Sequence, residues 1–277
     1  FENLNWVMVS EMNVSEVLNP LDASDAEFYK DFSDLNEYYD LFLIHPDGEI
    51  FYTAAREADY QTNILKGPYA ASNLAQLARD VVYYDQDRFV DFAPYEPSGN
   101  APAAFVATAV KLNGATLASR TNPLTATLGS QFIVALQLSD STLNEVMLQR
   151  TGLGETGESY LVGPDFKLRT STRDPNRNLI TSFSGDVNLN GADTEPVRLA
   201  LEGQSDTGLY QNYNGDWVLA SFSPIEVHDQ TWALITEIQA SEVLRPVWIL
   251  GLVVLLLLLG VVALVVQLAL FFSRNIT

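Results

Sequence analysis

No cysteine occurs in the 277 residues of this chain, so neither a disulfide framework nor a thiolate metal site is open to it. Histidine is almost as scarce. Only His45 and His228 are present, each in or beside a turn, and an imidazole metal centre or acid–base pair would need the fold to bring them together. Two surface histidines are the simpler reading. Basic side chains are few: 15 Lys and Arg stand against 35 Asp and Glu, a formal charge of -20, which argues against nucleic acid and against an anionic lipid surface as partners. The patterns Gly-x-Ser-x-Gly and His-Glu-x-x-His are missing, and the many carboxylates are scattered. The expectation is a protein that is not an enzyme and that uses no cofactor and no metal. One loop tests the last point. Asp186, Asn188 and Asn190 supply oxygen ligands at calcium-loop spacing and Gly191 follows, but Val197 stands where a bidentate glutamate should close the site. Asx turns account for the same residues.

Charge is absent altogether from Val247 to Phe272, where only Gln267 interrupts an apolar run. At about 1.5 Å per residue such a run crosses a hydrocarbon core of about 30 Å as one helix. Arg245 and Arg274 flank it, one on each side. The polar bulk before it is expected outside the cytoplasm, since large domains are exported largely regardless of charge. The first residue is Phe1, with no initiator methionine or signal peptide, so a first membrane helix is expected upstream and an output domain downstream. From about Asn3 to Leu18 a helix is predicted, ended by Pro20. Its stripe of Leu4, Val7, Met8, Glu11, Val14 and Leu18 suits pairing in a homodimer.

Between these ends the sequence repeats a plan. Tyr38 to Thr53 predicts a hairpin, an apolar strand followed by a Pro46-Asp47-Gly48 turn and an alternating strand. Glu158 to Ser171 predicts a second hairpin with Pro164-Asp165 at its turn. Phe132 to Ser141 and Trp232 to Ser241 each read as a strand running straight into a helix. In the first copy a helix is expected from Ser72 to Val82 on the spacing of Leu74, Leu77, Ala78 and Val81, then strands at Arg88 to Tyr95 and Ala103 to Leu112. In the second, Pro196 suits the first turn of a short helix ending at Leu201, and Asn214-Gly215 joins strands at Gly208 to Tyr213 and Trp217 to Ile225. Hairpin, helix and three antiparallel strands, twice over, is an α+β, PAS-like plan.

Several separated motifs carry a further resemblance. They are Tyr38-Tyr39-Asp40-Leu41-Phe42-Leu43-Ile44, Glu57-Ala58-Asp59-Tyr60-Gln61-Thr62-Asn63, Gly67-Pro68-Tyr69, Asp91-Phe92-Ala93-Pro94-Tyr95-Glu96-Pro97-Ser98 and Pro102-Ala103-Ala104-Phe105. Together they resemble the distal module of bacterial double Cache sensors. The run Gly152-Leu153-Gly154-Glu155-Thr156-Gly157-Glu158-Ser159-Tyr160 is similar to the opening of the membrane-proximal module in methyl-accepting chemotaxis receptors and sensor kinases. Arg274-Asn275-Ile276-Thr277 looks like the opening of a HAMP linker. The resemblance implies an extracytoplasmic small-molecule sensor in a bacterial inner membrane, most simply of a chemotaxis receptor. A histidine kinase or nucleotide cyclase sensor, or an anchored binding protein without output, stays open. It also divides the chain into 1–27, a helical segment; 28–148, the distal module; 149–245, the proximal module; 246–272, the membrane helix; and 273–277, a linker. The Arg-x-Trp-Tyr pattern of amino-acid-binding members is absent from Arg56 to Tyr69, so no particular ligand is implied.

A small-molecule pocket needs an apolar, aromatic wall and a few convergent polar groups. The distal module offers Tyr60, Tyr69, Tyr95 and Phe105 as wall, with Thr62, Ser72 and Asp91 as polar partners. In the proximal copy Tyr160, Tyr210, Tyr213 and Trp217 fall on strand positions expected of core packing.

Overall fold

The computed structural model describes residues 28–111, 131–149 and 151–276, and of 272–276 the backbone alone. The predicted helix over residues 3–18, Pro20 and the apolar stripe lie outside the described residues.

A short helix α1 (Phe28–Leu35) leads into β1 (Asp40–Ile44) and β2 (Ile50–Thr53). Gly48 makes the turn between them at φ +103, and a Cβ there would come within 2.6 Å of Asn63 and Leu65 side chains. Glycine is the residue that tolerates both demands. Helix α2 (Asn73–Tyr84) starts where Ser72 accepts from the Ala75 amide at 3.1 Å and stops at Asp85, which is left-handed. Strands β3 (Arg88–Tyr95), β4 (Ala101–Lys111) and β5 (Gln131–Gln137) complete an antiparallel sheet in the order β2-β1-β5-β4-β3. Leu74, Leu77, Ala78 and Val81 of α2 pack onto Phe42, Ile44, Tyr95 and Phe105. Each such aliphatic or aromatic burial contributes about 1.5–3 kcal/mol.

Helix α3 (Asp140–Met147) follows β5 directly after the cap Ser139. A second antiparallel sheet, ordered β6-β9-β8-β7, is built from β6 (Glu158–Val162), β7 (Asp206–Gln211), β8 (Trp217–Val227) and β9 (Gln230–Gln239). Three short helices, α4 (Leu179–Ser184), α5 (Val187–Asn190) and α6 (Glu195–Leu201), lie between β6 and β7. The second arm of the predicted hairpin shrinks to one bridge, Val162 with Leu168. The reason is partly tertiary: the Leu161 amide donates to the Thr170 hydroxyl at 3.0 Å instead of to a ladder carbonyl, and Arg169 turns away to the carboxylate of Asp91. Asp186 caps α5 and accepts from the Asn188 amide, so the calcium-like loop is an Asx-capped helical turn.

Helix α7 (Ala240–Ile276) begins at the residue after β9 ends. Over Ala240–Phe271 it is long and apolar enough to cross a membrane, with a peak mean hydropathy of 3.4 and none of that stretch buried. The short helix predicted before the span and the span itself are one element, with Pro246 inside it.

The two sheets share a seam. Phe89, Phe92 and Ala104 of the first join Leu161 and Trp232 of the second, with Leu179 of α4, in one apolar cluster.

Candidate functional site

Of the seven residues proposed from sequence, Tyr95 and Phe105 meet edge to face with ring centroids 5.0 Å apart, and Tyr69 packs against the same core. The other four are engaged separately. Ser72 caps α2. The Thr62 hydroxyl donates to the Asp59 carbonyl, 2.7 Å away, and Tyr60 is half-buried beside it. Asp91, expected to face a ligand, spends its carboxylate on the second sheet. Arg169 donates from Nε to Asp91 Oδ1 at 2.8 Å and from Nη2 to Oδ2 at 2.7 Å, and Trp232 Nε1 donates to Oδ2 at 3.2 Å. Arg169 is 2% exposed and also pairs with Asp165. The fork geometry makes this the strong, oriented kind of ion pair.

A different polar group surrounds Tyr95. Its hydroxyl donates to Asp59 Oδ2 at 2.5 Å. Asp40 Oδ1 accepts from the amides of Leu41, Ala54 and Ala55. Tyr39 and Ser98 both donate to Glu57, and Gln137 donates to Ser98. Asp40 Oδ2, Asp59 Oδ1 and Gln137 Oε1 are buried and meet no donor in the protein. Burial pushes the Asp40 carboxyl up to about 7 and raises that of Asp59, while burial and the Asp59 charge raise the Tyr95 hydroxyl. Tyr39 is pushed up to about 12, chiefly by its hydrogen bond to Glu57.

The second sheet repeats the arrangement. Asp40 sits opposite Gln137 across β1 and β5; Glu158 sits opposite Glu237 across β6 and β9. Tyr213 donates to Glu158, and Tyr160 and Asn212 donate to Glu237. Glu158, Glu237, Tyr213 and Asn212 border a cavity of about 290 Å³. Burial pushes Glu237 up to about 7 and raises Tyr160 and Tyr213. The aromatic side chains expected to serve only the core here therefore divide: Tyr213 lines the cavity, while Tyr210 packs on Phe222.

Sequence reasoning missed Asp40, Gln137, Glu158 and Glu237 although a signal was present. Each lies at even spacing from core residues of its own strand: Asp40 with Phe42 and Ile44, Gln137 with Ala135 and Ile133, Glu158 with Tyr160 and Val162, Glu237 with Ile235 and Ala233. A polar side chain on the inward parity of a strand is buried by construction.

The histidines stay apart. His45 pairs with Asp47 in the first hairpin turn, and His228, in the β8–β9 turn, stacks on Phe89 at the seam.

No protein-family model matches the sequence, and no curated protein matches it. Among solved structures the chain is similar to the periplasmic sensory domain of the Campylobacter jejuni chemoreceptor Tlp1, at 14% identity and TM-score 0.49, covering 84% of this chain and 86% of that one. It is similar to the ligand-binding domain of the Pseudomonas fluorescens chemoreceptor CtaA in complex with L-serine, at 16% identity and TM-score 0.46, covering 82% and 83%. It is also similar to the ligand-binding domain of the Pseudomonas aeruginosa amino acid chemoreceptor PctC in complex with GABA, at 13% identity and TM-score 0.45, covering 81% and 86%. All three are sensory or ligand-binding domains of chemoreceptors.

Proposed function

We propose that residues 28–245 are the extracytoplasmic small-molecule sensing region of a transmembrane receptor, most simply a chemotaxis receptor. Two tandem PAS-like Cache modules make it up, a distal one at 28–148 and a proximal one at 149–245, anchored in the bacterial inner membrane by residues 246–272. The observation that carries this reading is the junction of β9 with α7: the last strand of a sheet packed on the other module becomes an apolar, unburied helix with no residue between them. A protein that only needed an anchor has no use for so direct a connection.

The primary ligand belongs to the distal module. Tyr60, Tyr69 and Tyr95 offer its wall, and the partnerless oxygens of Asp40, Asp59 and Gln137 offer acceptors to a donor-bearing ligand. Such oxygens are costly to bury and gain most from a ligand that fills them. A ligand shifts an equilibrium only through differential affinity for two states, and the seam at Asp91 and Arg169 is where two module arrangements would differ. Transmission needs a partner helix, so the working unit is a homodimer.

A thermal-shift screen of the full chain in nanodiscs against amino acids, organic acids, amines and nucleobases tests this. One class should raise the midpoint, and Tyr95→Phe and Asp59→Asn should each remove the shift while the protein stays folded. A hit that survives both changes and is lost at Tyr213 overturns the distal assignment.

A further inference from the structure

Glu158 and Glu237 stand directly opposite each other across β6 and β9, both nearly buried. Like charges in that relationship repel. Their hydrogen-bond partners are neutral: Tyr213 and the Arg173 amide for Glu158, Tyr160 and Asn212 for Glu237. Among the described residues neither carboxylate forms an ion pair. Both line the 290 Å³ cavity, whose rim adds the exposed carboxylates of Glu155 and Asp216. Among the described residues Arg173 is the only basic side chain on its wall, and its guanidinium donates to the Gly157 carbonyl. A cavity of this size sits at the small end of ligand sites. It is open to solvent, walled by oxygen acceptors and short of cations.

We propose that this cavity is a second ligand site, separate from the distal one, which takes a small organic cation carrying ammonium or guanidinium groups. A nitrogen cation placed between Glu158 and Glu237 supplies the charge that their neutral partners do not. Charge-assisted hydrogen bonds of that kind are about twice as strong as neutral ones. A metal ion fits less well: among the described residues no cluster of three or more His, Asp or Glu side chains is arranged to hold one.

The site also touches the membrane helix. Glu242, in the first turn of α7, accepts from the amides of Glu155 and Thr156 at 2.8 Å each and from the Thr156 hydroxyl. Gln239, the last residue of β9, donates its amide to the same hydroxyl at 3.1 Å. Glu155, Thr156 and Gln239 are walls of the cavity. A cation bound there bears on the strap that ties the sheet to α7, so occupancy biases the position of the helix from within the proximal module.

Isothermal titration of the full chain in phosphatidylcholine nanodiscs tests the proposal, with putrescine and agmatine as probes and succinate and calcium as controls. Putrescine or agmatine should bind, succinate should not, and Glu237→Gln or Glu158→Gln should weaken binding at least tenfold. Asp59→Asn, in the distal module, should leave it unchanged. If the buried variants fail to fold, the exposed changes Glu155→Gln and Asp216→Asn should still weaken binding severalfold. The proposal falls if neither amine binds, if calcium binds in their place, or if binding survives the cavity changes. It falls equally if Asp59→Asn abolishes binding while the cavity variants bind normally, which would move the amine to the distal site and leave the sensor reading standing.

Discussion

The guanidinium of Arg169 lies along the carboxylate of Asp91, two parallel contacts of 2.8 and 2.7 Å between residues 78 positions apart, Asp91 on β3 and Arg169 in the segment that follows β6. Trp232 completes the clamp from β9, so the strand that continues into α7 is tied to β3 of the first sheet through one carboxylate.

Removing Arg169 should strand the Asp91 carboxylate, which costs about 3–5 kcal/mol in comparable pairs, whereas removing Asp91 leaves Arg169 its contact with Asp165 and should cost less. Asp91→Ala and Arg169→Met should each lower the thermal midpoint and split calorimetric unfolding into two transitions as the modules uncouple. A single transition at the wild-type midpoint would show that the clamp contributes nothing.

Stability should fall as the pH rises from about 5 to about 8. The carboxyls of Asp40 and Glu237 are each pushed by burial to about 7 from ordinary values of 3.8 and 4.5. Between those limits the folded chain holds more protons than the unfolded one, and the linkage slope is then negative. Asp40 faces Asp59, and Glu237 faces Glu158 and Asp216, like charges that push in the same direction as burial. Midpoints measured by scanning calorimetry across that range should decline, and Asp40→Asn should flatten the decline. A midpoint that climbs toward alkaline pH would contradict both shifts.

Gly163 leaves the space through which Arg169 reaches Asp91, since a Cβ at that position would fall on the guanidinium. Gly163→Ala should cost about 1–3 kcal/mol, the range for overpacking. In an Arg169→Ala background the same change should be nearly silent, and a double-mutant cycle on thermal or urea unfolding reads that coupling. Additive losses would mean that the glycine is needed for its own backbone.

Because the chain has no cysteine, a single one placed at Val7 or Val14 tests the proposed homodimer without interference. Each should cross-link between subunits in membranes. Failure along the whole stripe from Leu4 to Leu18 would count against a parallel pair.

Much of the fold was legible where local chemistry decides it. Ser72 marks the start of α2, Asn214-Gly215 the β7–β8 turn and Pro196 the first turn of α6. The second hairpin was misread because the alternation of Lys167 to Ser171 is that of a strand, while a distant carboxylate and a threonine hydroxyl bend the segment to other uses. The site was less legible. Asp91 reads as a free acid until a residue 78 positions away is placed beside it. Tyr95 and Phe105 stand out in the sequence because aromatic residues in strands are conspicuous, whereas the buried carboxyls of Asp40, Asp59, Glu158 and Glu237 are lost among 35 acidic residues.

The absence of any residue between Gln239 and Ala240 makes α7 a direct extension of the second sheet. A loop at that point would act as a compliant joint and absorb a rotation of the sheet. Here the strand's own hydrogen bonds grip one end of a 37-residue rod. Such a rod is about 55 Å long, so a tilt of about 5° at its root sweeps the far end through roughly 5 Å. The gain is mechanical: a movement of the sheet by less than an atomic diameter displaces the far end of α7 by several times as much.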